Sequence, residues 1–335
     1  MITFYPGPSK VYPAVAGFAQ EAVLSGVVSL NHRSSGFMDI VKETLRLLHE
    51  KLAVPEEYHI FFVSSATECW EIVAQSLTVA NSLHPYSGAF GKKWMEYAHR
   101  IKPALMPGEA DVLCVVQNET SNGTQVRMET LKQFREQFTG LIAVDAVSSL
   151  GGLAFDWRLA DVWFASVQKC LGLPPGLGLM IYSPAALERA RIIGDRQYYN
   201  SLLFIHENME KFQTPYTPNS LGIYLLMRVL QQVPPIGTVD AVLRQRAASW
   251  YRFIEEETRW NLLIDQPEHR SDTVIAVLGE EEAIRAVKAE ALRAGITIGN
   301  GYGDWKNTTF RIANFPAIDE SEITVLKDFL RTYGR

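Results

Sequence analysis

Short apolar runs alternate with stretches of helical periodicity between about residues 58 and 195. The runs HIFFVSS, DVLCVVQ, LIAVDAV, DVWFASV and GLGLMIYS each have the length of one strand, and METLKQFREQF is typical of the helices between them. Strands that are apolar along their whole length are buried on both faces of a sheet. The sequence therefore predicts an α/β fold with a mainly parallel sheet flanked by helices.

A second unit follows the segment QQVPPIGTVD, whose two prolines and glycine predict a boundary. Beyond it we expect a long helix over about Val239–Glu257, then a strand, a helix, two strands and a last helix from Asp319, which together form a smaller α+β C-terminal domain. The opening PGPSKVYP is too rich in proline for a helix, and we expect it to run over the surface between the domains. We predict a large domain over residues 14–232 and a small domain made of residues 1–13 and 233–335.

Composition excludes several classes of partner. The chain has 335 residues, 47% of them hydrophobic, and its formal net charge of −5 argues against a general nucleic-acid binder or a basic membrane-surface protein. No apolar run approaches the roughly 20 residues of a membrane span, and the start of the chain lacks the pattern of a signal peptide. Cys69, Cys114 and Cys170 are widely spaced and show no metal-binding pattern. We therefore expect a cytoplasmic protein with free thiols and with no metal, membrane or nucleic-acid partner.

Lys169 lies in an otherwise apolar stretch, ADVWFASVQKCLGLPPGLGLMIYS. Burying an unpaired ammonium costs roughly several kcal/mol, so the residue needs an explanation. Asp145 ends the run LIAVDAV, and ligands of α/β sheets bind at the carboxyl ends of such strands. One interpretation is a simple buried ion pair between the two residues. The other is pyridoxal phosphate, whose aldehyde forms a Schiff base with a neutral lysine and whose pyridine nitrogen pairs with an acid.

The cofactor interpretation requires three further features, and the sequence offers a candidate for each. VSSATECWE places small and hydroxylated residues at a helix start, which suits a phosphate but is also an ordinary N-cap. Phe90 and Trp94 in SGAFGKKW are aromatic residues for the ring, or simply core residues. Arg311 lies in the apolar strand TTFRIANF, where it either binds a substrate carboxylate or another anion, or lies at an exposed edge.

Nine motifs, in order along nearly the whole chain, resemble those of one protein family. They are PGPSKVYP, NHRSSGF, SSATECWE, SGAFGKKW, NETSNG, VDAVSSLGG, SVQKCLGLPPGLG, QTPYTP and FRIANF. On these residues the sequence resembles the class V aminotransferases of fold type I. The resemblance implies a pyridoxal-phosphate-dependent enzyme that acts on amino acids and 2-oxo acids. It also implies a homodimer with its active sites at the interface.

The resemblance further implies roles for individual residues. Lys169 would be the catalytic Schiff-base lysine, Asp145 would pair with the pyridine nitrogen, and Arg311 would bind the substrate carboxylate. The other cofactor-binding residues carried over by motif are Ser65, Ala66, Thr67 and Gln168 at the phosphate, Phe90 stacked on the ring, Thr120 at the 3′-oxygen, and Gln213 and Thr214, which would reach the phosphate of the neighbouring subunit's cofactor.

Two branches of the family fit the substrate. His32 and Arg33 in NHRSSGF resemble the pair with which phosphoserine aminotransferases bind the substrate phosphate, although a plain surface-loop pair is the alternative. DAVSSLGG, SSATECWE and NETSNG resemble the alanine–glyoxylate and serine–glyoxylate aminotransferases at least as well. A second His-Arg pair of the phosphoserine branch is replaced in GYGDWKNTTFR by Trp305 and Lys306. We expect amino transfer between glutamate and 3-phosphohydroxypyruvate to give phosphoserine, a step of serine biosynthesis, with the glyoxylate type as the alternative.

Two other functions are weaker alternatives. A cysteine desulfurase needs a mobile reactive cysteine near the C-terminal domain, whereas all three cysteines precede residue 171. A non-catalytic binding protein that keeps the fold needs no complete site. The set of Lys169, Asp145, Thr120 and Arg311 argues against it.

Overall fold

Two sheets organise the chain, and the computed structural model describes residues 2–103 and 109–333. The strands are β1 (Ile2–Phe4), β2 (His59–Val63), β3 (Ser82–Leu83), β4 (Val112–Val116), β5 (Asn118–Glu119), β6 (Thr124–Gln125), β7 (Leu141–Asp145), β8 (Val162–Ser166), β9 (Gly178–Tyr182), β10 (Asn261–Leu262), β11 (Val274–Leu278), β12 (Ile296–Asn300) and β13 (Thr309–Ala313). The α-helices are α1 (Val15–Leu24), α2 (Ser35–Leu52), α3 (Ala66–Ser76), α4 (Ala89–Ile101), α5 (Met128–Gln137), α6 (Pro184–Ile193), α7 (Leu202–Met209), α8 (Ser220–Gln232), α9 (Ile236–Glu257), α10 (Glu281–Arg293) and α11 (Glu320–Tyr333). Within those two ranges, no helix is both long enough and apolar enough to cross a membrane.

Six strands form the central sheet in the order β2-β9-β8-β7-β4-β3. β9 is antiparallel to both of its neighbours, and the three other neighbouring pairs are parallel. β4, β7, β8 and β9 are buried along their whole length, as the apolar runs predict for a sheet covered on both faces. The predicted α/β class with a mainly parallel sheet is confirmed. Asp145 pairs with Phe164, so the carboxyl ends of β7 and β8 lie side by side.

A second sheet has the order β1-β12-β13-β11-β10, with β1 parallel to β12 and the other pairs antiparallel. It has its own hydrophobic cluster, which includes Phe4 and Phe310 and is separate from the cluster around the central sheet. The predicted smaller α+β unit is therefore present. The pairing of β1 with β12 supports our proposal that residues 1–13 form one domain with residues 233–335, apart from residues 14–232.

Local signals set the helix ends. Ser65 is the N-cap of α3, and its Oγ accepts a hydrogen bond from the backbone N–H of Glu68 at 3.4 Å. α9 begins at Ile236, earlier than the predicted Val239. Pro235 immediately precedes this helix, and a proline at a helix start loses no intrahelical hydrogen bond because the first N–H groups have no partner there.

The opening segment PGPSKVYP crosses between the two units, as its composition predicts. The Ser9 N–H donates to the Gln168 carbonyl at 3.0 Å, on the side of the central sheet. Lys10 forms an ion pair of 3.0 Å with Asp319 at the start of the last helix. The segment thereby places Gly7 beside the end of β8, where the candidate site lies.

Candidate active site

A cavity of about 270 Å³ lies at the carboxyl ends of β7 and β8. Both sheets contribute to its lining, because β13 and the segment after β1 face the ends of these strands. Eight of the residues that the sequence analysis singles out line it: Ala66, Thr67, Phe90, Thr120, Asp145, Gln168, Lys169 and Arg311.

Lys169 follows β8 and is buried, with 7% of its surface exposed. Its Nζ donates a hydrogen bond to Thr120 Oγ1 at 2.8 Å and lies 5.4 Å from the centroid of the Phe90 ring. Burial lowers the pKa of the amine to about 8, against the opposing attraction of the Asp145 carboxylate. Gly7 packs directly on the lysine: a Cβ there would lie 3.0 Å from Lys169 Cε, and the backbone φ of +154° also favours glycine.

Asp145 is the last residue of β7 and lines the same cavity. Its carboxylate accepts hydrogen bonds from Trp70 Nε1 at 3.2 Å and from the Val147 N–H at 3.0 Å. Burial raises the pKa of Asp145 to about 6, while the Val147 hydrogen bond, the Lys169 charge and the Trp70 hydrogen bond act in the opposite direction. The group is therefore mainly ionised at neutral pH.

The two charged residues do not form a direct ion pair. Each has other hydrogen-bond partners, and none of the ion pairs in the described ranges joins Lys169 to Asp145. The simple buried ion pair is therefore the wrong interpretation of these two side chains. They face a common cavity instead.

The residues predicted to bind a phosphate surround the first turn of α3. Ala66 and Thr67 line the cavity, whereas Ser65 acts as the helix N-cap outside the lining. The Ala66 N–H donates to Ser166 Oγ at 2.8 Å, which joins the helix start to the end of β8. Gln168 Oε1 is buried without a hydrogen-bond partner. The N-terminus of α3 is suited to an anionic ligand, to which the Gln168 amide can donate through Nε2 but not through Oε1.

Phe90 lies in the first turn of α4, and a carboxylate from another part of the chain holds that turn. Gly88 is the N-cap and provides no side chain. Glu119 in β5 caps the helix instead: its Oε2 accepts hydrogen bonds from the N–H groups of Phe90 and Gly91, both at 3.1 Å. The close approach excludes a side chain at Gly88, where a Cβ would lie 2.4 Å from Glu119 Cγ. Trp94, the other aromatic candidate, is buried in the core outside the cavity lining.

Arg311 lies in β13, an interior strand of the second sheet, and is 4% exposed, so the edge-strand interpretation is wrong. Its Nε donates to the Asn300 carbonyl at 2.7 Å and its Nη1 to the Thr120 carbonyl at 2.6 Å. Among the described residues, no carboxylate forms an ion pair with it, and burial lowers its pKa. The guanidinium therefore faces the cavity as a cation that suits a ligand anion.

Four predicted site residues lie away from the cavity of their own chain. His32 and Arg33 precede α2, where His32 Nε2 is buried without a hydrogen-bond partner and Arg33 is exposed. Gln213 Nε2 lies 3.4 Å from Sδ of Met38 in the first half of α2, and Thr214 next to it is buried. His32 and Arg33 thus lie just before α2, and Gln213 contacts the first half of the same helix.

The sequence and the structure were then compared with known proteins. The family described as Aminotransferase class-V matches residues 96–302, which is more than half of the chain. The chain belongs to this family. It is a pyridoxal-phosphate-dependent aminotransferase of fold type I, so the predicted family, fold and enzyme class are confirmed.

The aminotransferase is similar over most of its length to proteins named phosphoserine aminotransferase. Those from Rhodococcus opacus and Corynebacterium glutamicum are each 29% identical, over 96% of this chain and 91% of the relative. A solved phosphoserine aminotransferase from Cytophaga hutchinsonii is 30% identical, with a TM-score of 0.93 over 99% of this chain and 98% of that chain. An alanine–glyoxylate aminotransferase from Nostoc sp. reaches a TM-score of 0.83 over 99% of this chain and 94% of that chain, at 20% identity, a similarity that shows the fold alone.

Sequence reasoning misses several residues around the aminotransferase's cavity, and four of them bear on the site. Trp70, Tyr5 and Tyr302 line the cavity, and Glu119 accepts a hydrogen bond from the N–H of the lining residue Phe90. Two signals were available, because Trp70 lies one turn after Ala66 on the same helix face and Glu119 directly precedes Thr120. Nothing local marks the two tyrosines, which are almost 300 residues apart in the sequence.

Proposed function

We propose that the aminotransferase holds pyridoxal phosphate in this cavity and transfers an amino group between glutamate and 3-phosphohydroxypyruvate, which gives phosphoserine. The observation that carries the proposal is the buried amine of Lys169, whose pKa is lowered to about 8, in one cavity with the Asp145 carboxylate. A glyoxylate-type aminotransferase is the alternative, supported by the motifs DAVSSLGG, SSATECWE and NETSNG.

The residues present fit this cofactor at each of its polar ends. Ala66 and Thr67 at the α3 N-terminus are suited to the phosphate side, and the NH₂ group of the Gln168 amide is a further donor in the cavity lining. The Asp145 carboxylate is suited to a protonated ring nitrogen. The Phe90 ring, held by the α4 cap, is suited to the face of the cofactor ring.

When bound, pyridoxal phosphate supplies the aldehyde that accepts an amino group and the ring that withdraws electrons from the substrate Cα. The protein's contribution begins with Lys169, whose amine is partly neutral at physiological pH because it is desolvated. Nζ accepts the proton from the substrate Cα and returns it as a general acid, and Thr120 Oγ1 orients Nζ for this task. Asp145, oriented by Trp70 and Val147, would stabilise a positive charge at the ring nitrogen of the bound cofactor.

Arg311 is proposed to bind the substrate α-carboxylate. The carbonyls of Asn300 and Thr120 hold Nε and Nη1, so the guanidinium is oriented before the substrate arrives. Thr120 thereby contacts both functional cations, Lys169 through its hydroxyl and Arg311 through its carbonyl. This arrangement fixes the distance between the proton-transfer group and the carboxylate-binding group.

We also propose a homodimer in which residues near α2 complete the partner's site. His32, Arg33, Gln213 and Thr214 lie outside the cavity of their own chain, the first two just before α2. Apolar side chains are exposed in the segment just before them, with Leu24 79% and Val23 61% exposed. An exposed apolar patch of this kind is typical of a protein–protein contact. We also propose the domain division at residues 14–232 against residues 1–13 with 233–335, and a cytoplasmic location.

The cysteines favour transamination over desulfuration. All three thiols are buried, and burial raises the pKa of Cys170, whose Sγ donates to the Ser148 carbonyl at 3.3 Å. A protonated, fixed thiol is a poor nucleophile. A non-catalytic protein, in turn, has no need for an amine with a lowered pKa.

The proposed function is tested by a screen of half-reactions. The yellow cofactor-loaded protein is mixed separately with phosphoserine, serine, alanine and glutamate, and the loss of the yellow absorbance band is recorded. We expect phosphoserine and glutamate to convert the cofactor to its amine form and serine to react at least tenfold more slowly. Serine lacks the phosphate, so the cation proposed to bind this phosphate stays unpaired when serine is bound. Equal rates with serine and phosphoserine would move the assignment to the glyoxylate type.

Lys169→Ala is the matched control for the chemistry. We expect this variant to fold, to bind the cofactor without a covalent bond, and to lose turnover by at least about a thousandfold, as is usual when the proton-transfer group is removed. A colourless wild-type protein that takes up no pyridoxal phosphate would instead favour the non-catalytic alternative.

A further inference from the structure

Tyr302 occupies the loop between β12 and β13, in the stretch GYGDWKNTTFR. From the sequence, Trp305 and Lys306 are the residues of this stretch that attract attention, yet neither lines the cavity. Tyr302 does line it. Its side chain therefore holds the position in this loop that faces the proposed substrate.

The Tyr302 ring contacts two groups that the proposed mechanism uses. It stacks on Phe90 with a centroid distance of 5.1 Å and an interplanar angle of 28°. In addition, Arg311 Cζ lies 5.6 Å from the Tyr302 ring centroid. A single side chain thus contacts both the aromatic residue proposed for the cofactor ring and the cation proposed for the carboxylate.

The loop backbone keeps Tyr302 in place. The Trp305 N–H donates to the Tyr302 carbonyl at 3.2 Å, and Thr309 Oγ1 donates to the Trp305 carbonyl at 2.8 Å. Gly301 is required for this tight turn, because a Cβ there would lie 2.1 Å from the Trp305 carbonyl oxygen. The ring is therefore presented from a folded turn that is closed by hydrogen bonds.

We propose that Tyr302 is a positioning residue that fixes the Arg311 guanidinium and, through Phe90, couples carboxylate binding to the seating of the cofactor ring. The carbonyls of Asn300 and Thr120 accept hydrogen bonds from Nε and Nη1 of Arg311, and the Tyr302 ring centroid lies 5.6 Å from Cζ of the same guanidinium. This cation–π contact adds a third restraint on the orientation of the guanidinium. The inference rests on the proposed function, since it assigns a task to residues of that same site.

The contribution of the ring is separated from that of the hydroxyl and of side-chain volume by two variants. Tyr302→Phe keeps the ring, and Tyr302→Leu keeps much of the volume without a π face. Asn307→Ala is the matched control, because Asn307 is an exposed residue of the same loop and does not line the cavity. Thermal unfolding verifies that each variant is folded; should Tyr302→Leu be unfolded, Tyr302→Ala at this partly exposed position replaces it.

The first measurement is the dissociation constant of glutarate, a dicarboxylate without an amino group, for the cofactor-loaded enzyme by calorimetry. We expect Tyr302→Leu to weaken glutarate binding about tenfold, the effect of losing a partly desolvated cation–π contact, and Tyr302→Phe to stay within about twofold of wild type. The second measurement is the affinity of the cofactor-free protein for pyridoxal phosphate by fluorescence quenching. There we expect Tyr302→Leu to bind about threefold more weakly, because Phe90 loses its stacking partner.

Steady-state kinetics distinguish positioning from a general loss of structure. We expect the Leu variant to show a higher KM for glutamate and for the 2-oxo acid, with kcat within about threefold of wild type. Glutarate binding at the wild-type level in Tyr302→Leu would overturn the inference, and so would an equal loss in Tyr302→Phe and Tyr302→Leu. A wild-type protein that takes up no cofactor would overturn the proposed function instead, so the two failures are distinct.

Discussion

The environment of single side chains accounts for the proposed chemistry. Lys169 and Asp145 are both buried, and burial moves their pKa values toward each other, to about 8 and about 6. Each group is destabilised in its charged form by desolvation, yet each retains polar partners that hold it in place. Opposite pKa shifts of an acid and an amine in one cavity are typical of an active site. Here the lowered pKa of Lys169 gives the cavity an amine that can react near neutral pH.

The lowered pKa of Lys169 predicts the pH dependence of aldehyde capture. A lysine reacts only when neutral, so the capture of pyridoxal by the cofactor-free protein, measured as borohydride-fixed adduct on Lys169, should rise with a midpoint near pH 8. An ordinary lysine would show this rise near pH 10.4.

Asp145→Asn provides the control for this profile. The carboxylate favours the charged amine, so its removal should move the midpoint below that of the wild-type protein. A wild-type midpoint above pH 10, or an upward shift in Asp145→Asn, would contradict the proposed cause.

Elements from distant parts of the chain fix the local geometry of the site. α4 presents Phe90, but its N-terminus has no side-chain cap of its own. Glu119 supplies the cap from β5, accepting from two amides of the helix through Oε2 and from the N–H and Oγ of Ser121 through Oε1. The position of Phe90, which we propose to stack on the cofactor ring, therefore depends on a strand that follows the helix in the chain.

Replacing the Glu119 carboxylate should weaken this support. In Glu119→Gln either orientation of the amide turns its NH₂ toward donor groups, so buried N–H groups lose their acceptor. We expect the free energy of unfolding of the cofactor-free protein, measured by denaturant titration, to fall by about 2 kcal/mol. The affinity for pyridoxal phosphate should fall as well.

Glu96→Gln is the matched control for this effect. Glu96 lies on α4, is exposed, and its side chain makes no hydrogen bond with other described residues. We expect its substitution to change the unfolding free energy by less than about 0.5 kcal/mol. Equal effects of the two variants would show that the capping contact has no special contribution.

The arrangement of the complete chain places the cavity between two hydrophobic units. The central sheet supplies Asp145 and Lys169, and the second sheet supplies Arg311 and Tyr302. The opening segment crosses from one unit to the other and adds Tyr5 and Gly7. The site of one chain is nevertheless incomplete in our proposal, since His32, Arg33, Gln213 and Thr214 lie elsewhere.

Hybrid dimers test whether these residues act across the interface. Lys169→Ala and Arg33→Ala are each expected to be nearly inactive with phosphoserine. The two variants are mixed and refolded together so that hybrid dimers form. If Arg33 acts in the partner's site, each hybrid dimer has one site with both Lys169 and Arg33 intact. Statistical mixing then restores about a quarter of the wild-type activity.

The same experiment has a clear opposite outcome. If Arg33 serves the cavity of its own chain, every site in every dimer lacks one of the two residues, and mixing restores nothing. Mixing Lys169→Ala with Asp145→Asn is the control, because both residues line one cavity of a single chain and no hybrid site is complete.

The sequence alone determined five of the six strands of the central sheet, all but the two-residue β3, and the identity of the two buried cations. An apolar run reports burial on both faces, and a lysine or arginine inside such a run is costly enough to indicate function, so Lys169 and Arg311 were identified before the structure. Tyr5 and Tyr302 carry no such signal, because aromatic residues are common in loops and strand ends, and Glu119 is marked only by its place next to Thr120. Only the tertiary structure decided their roles, since packing of the two sheets brings together side chains that are far apart in the sequence.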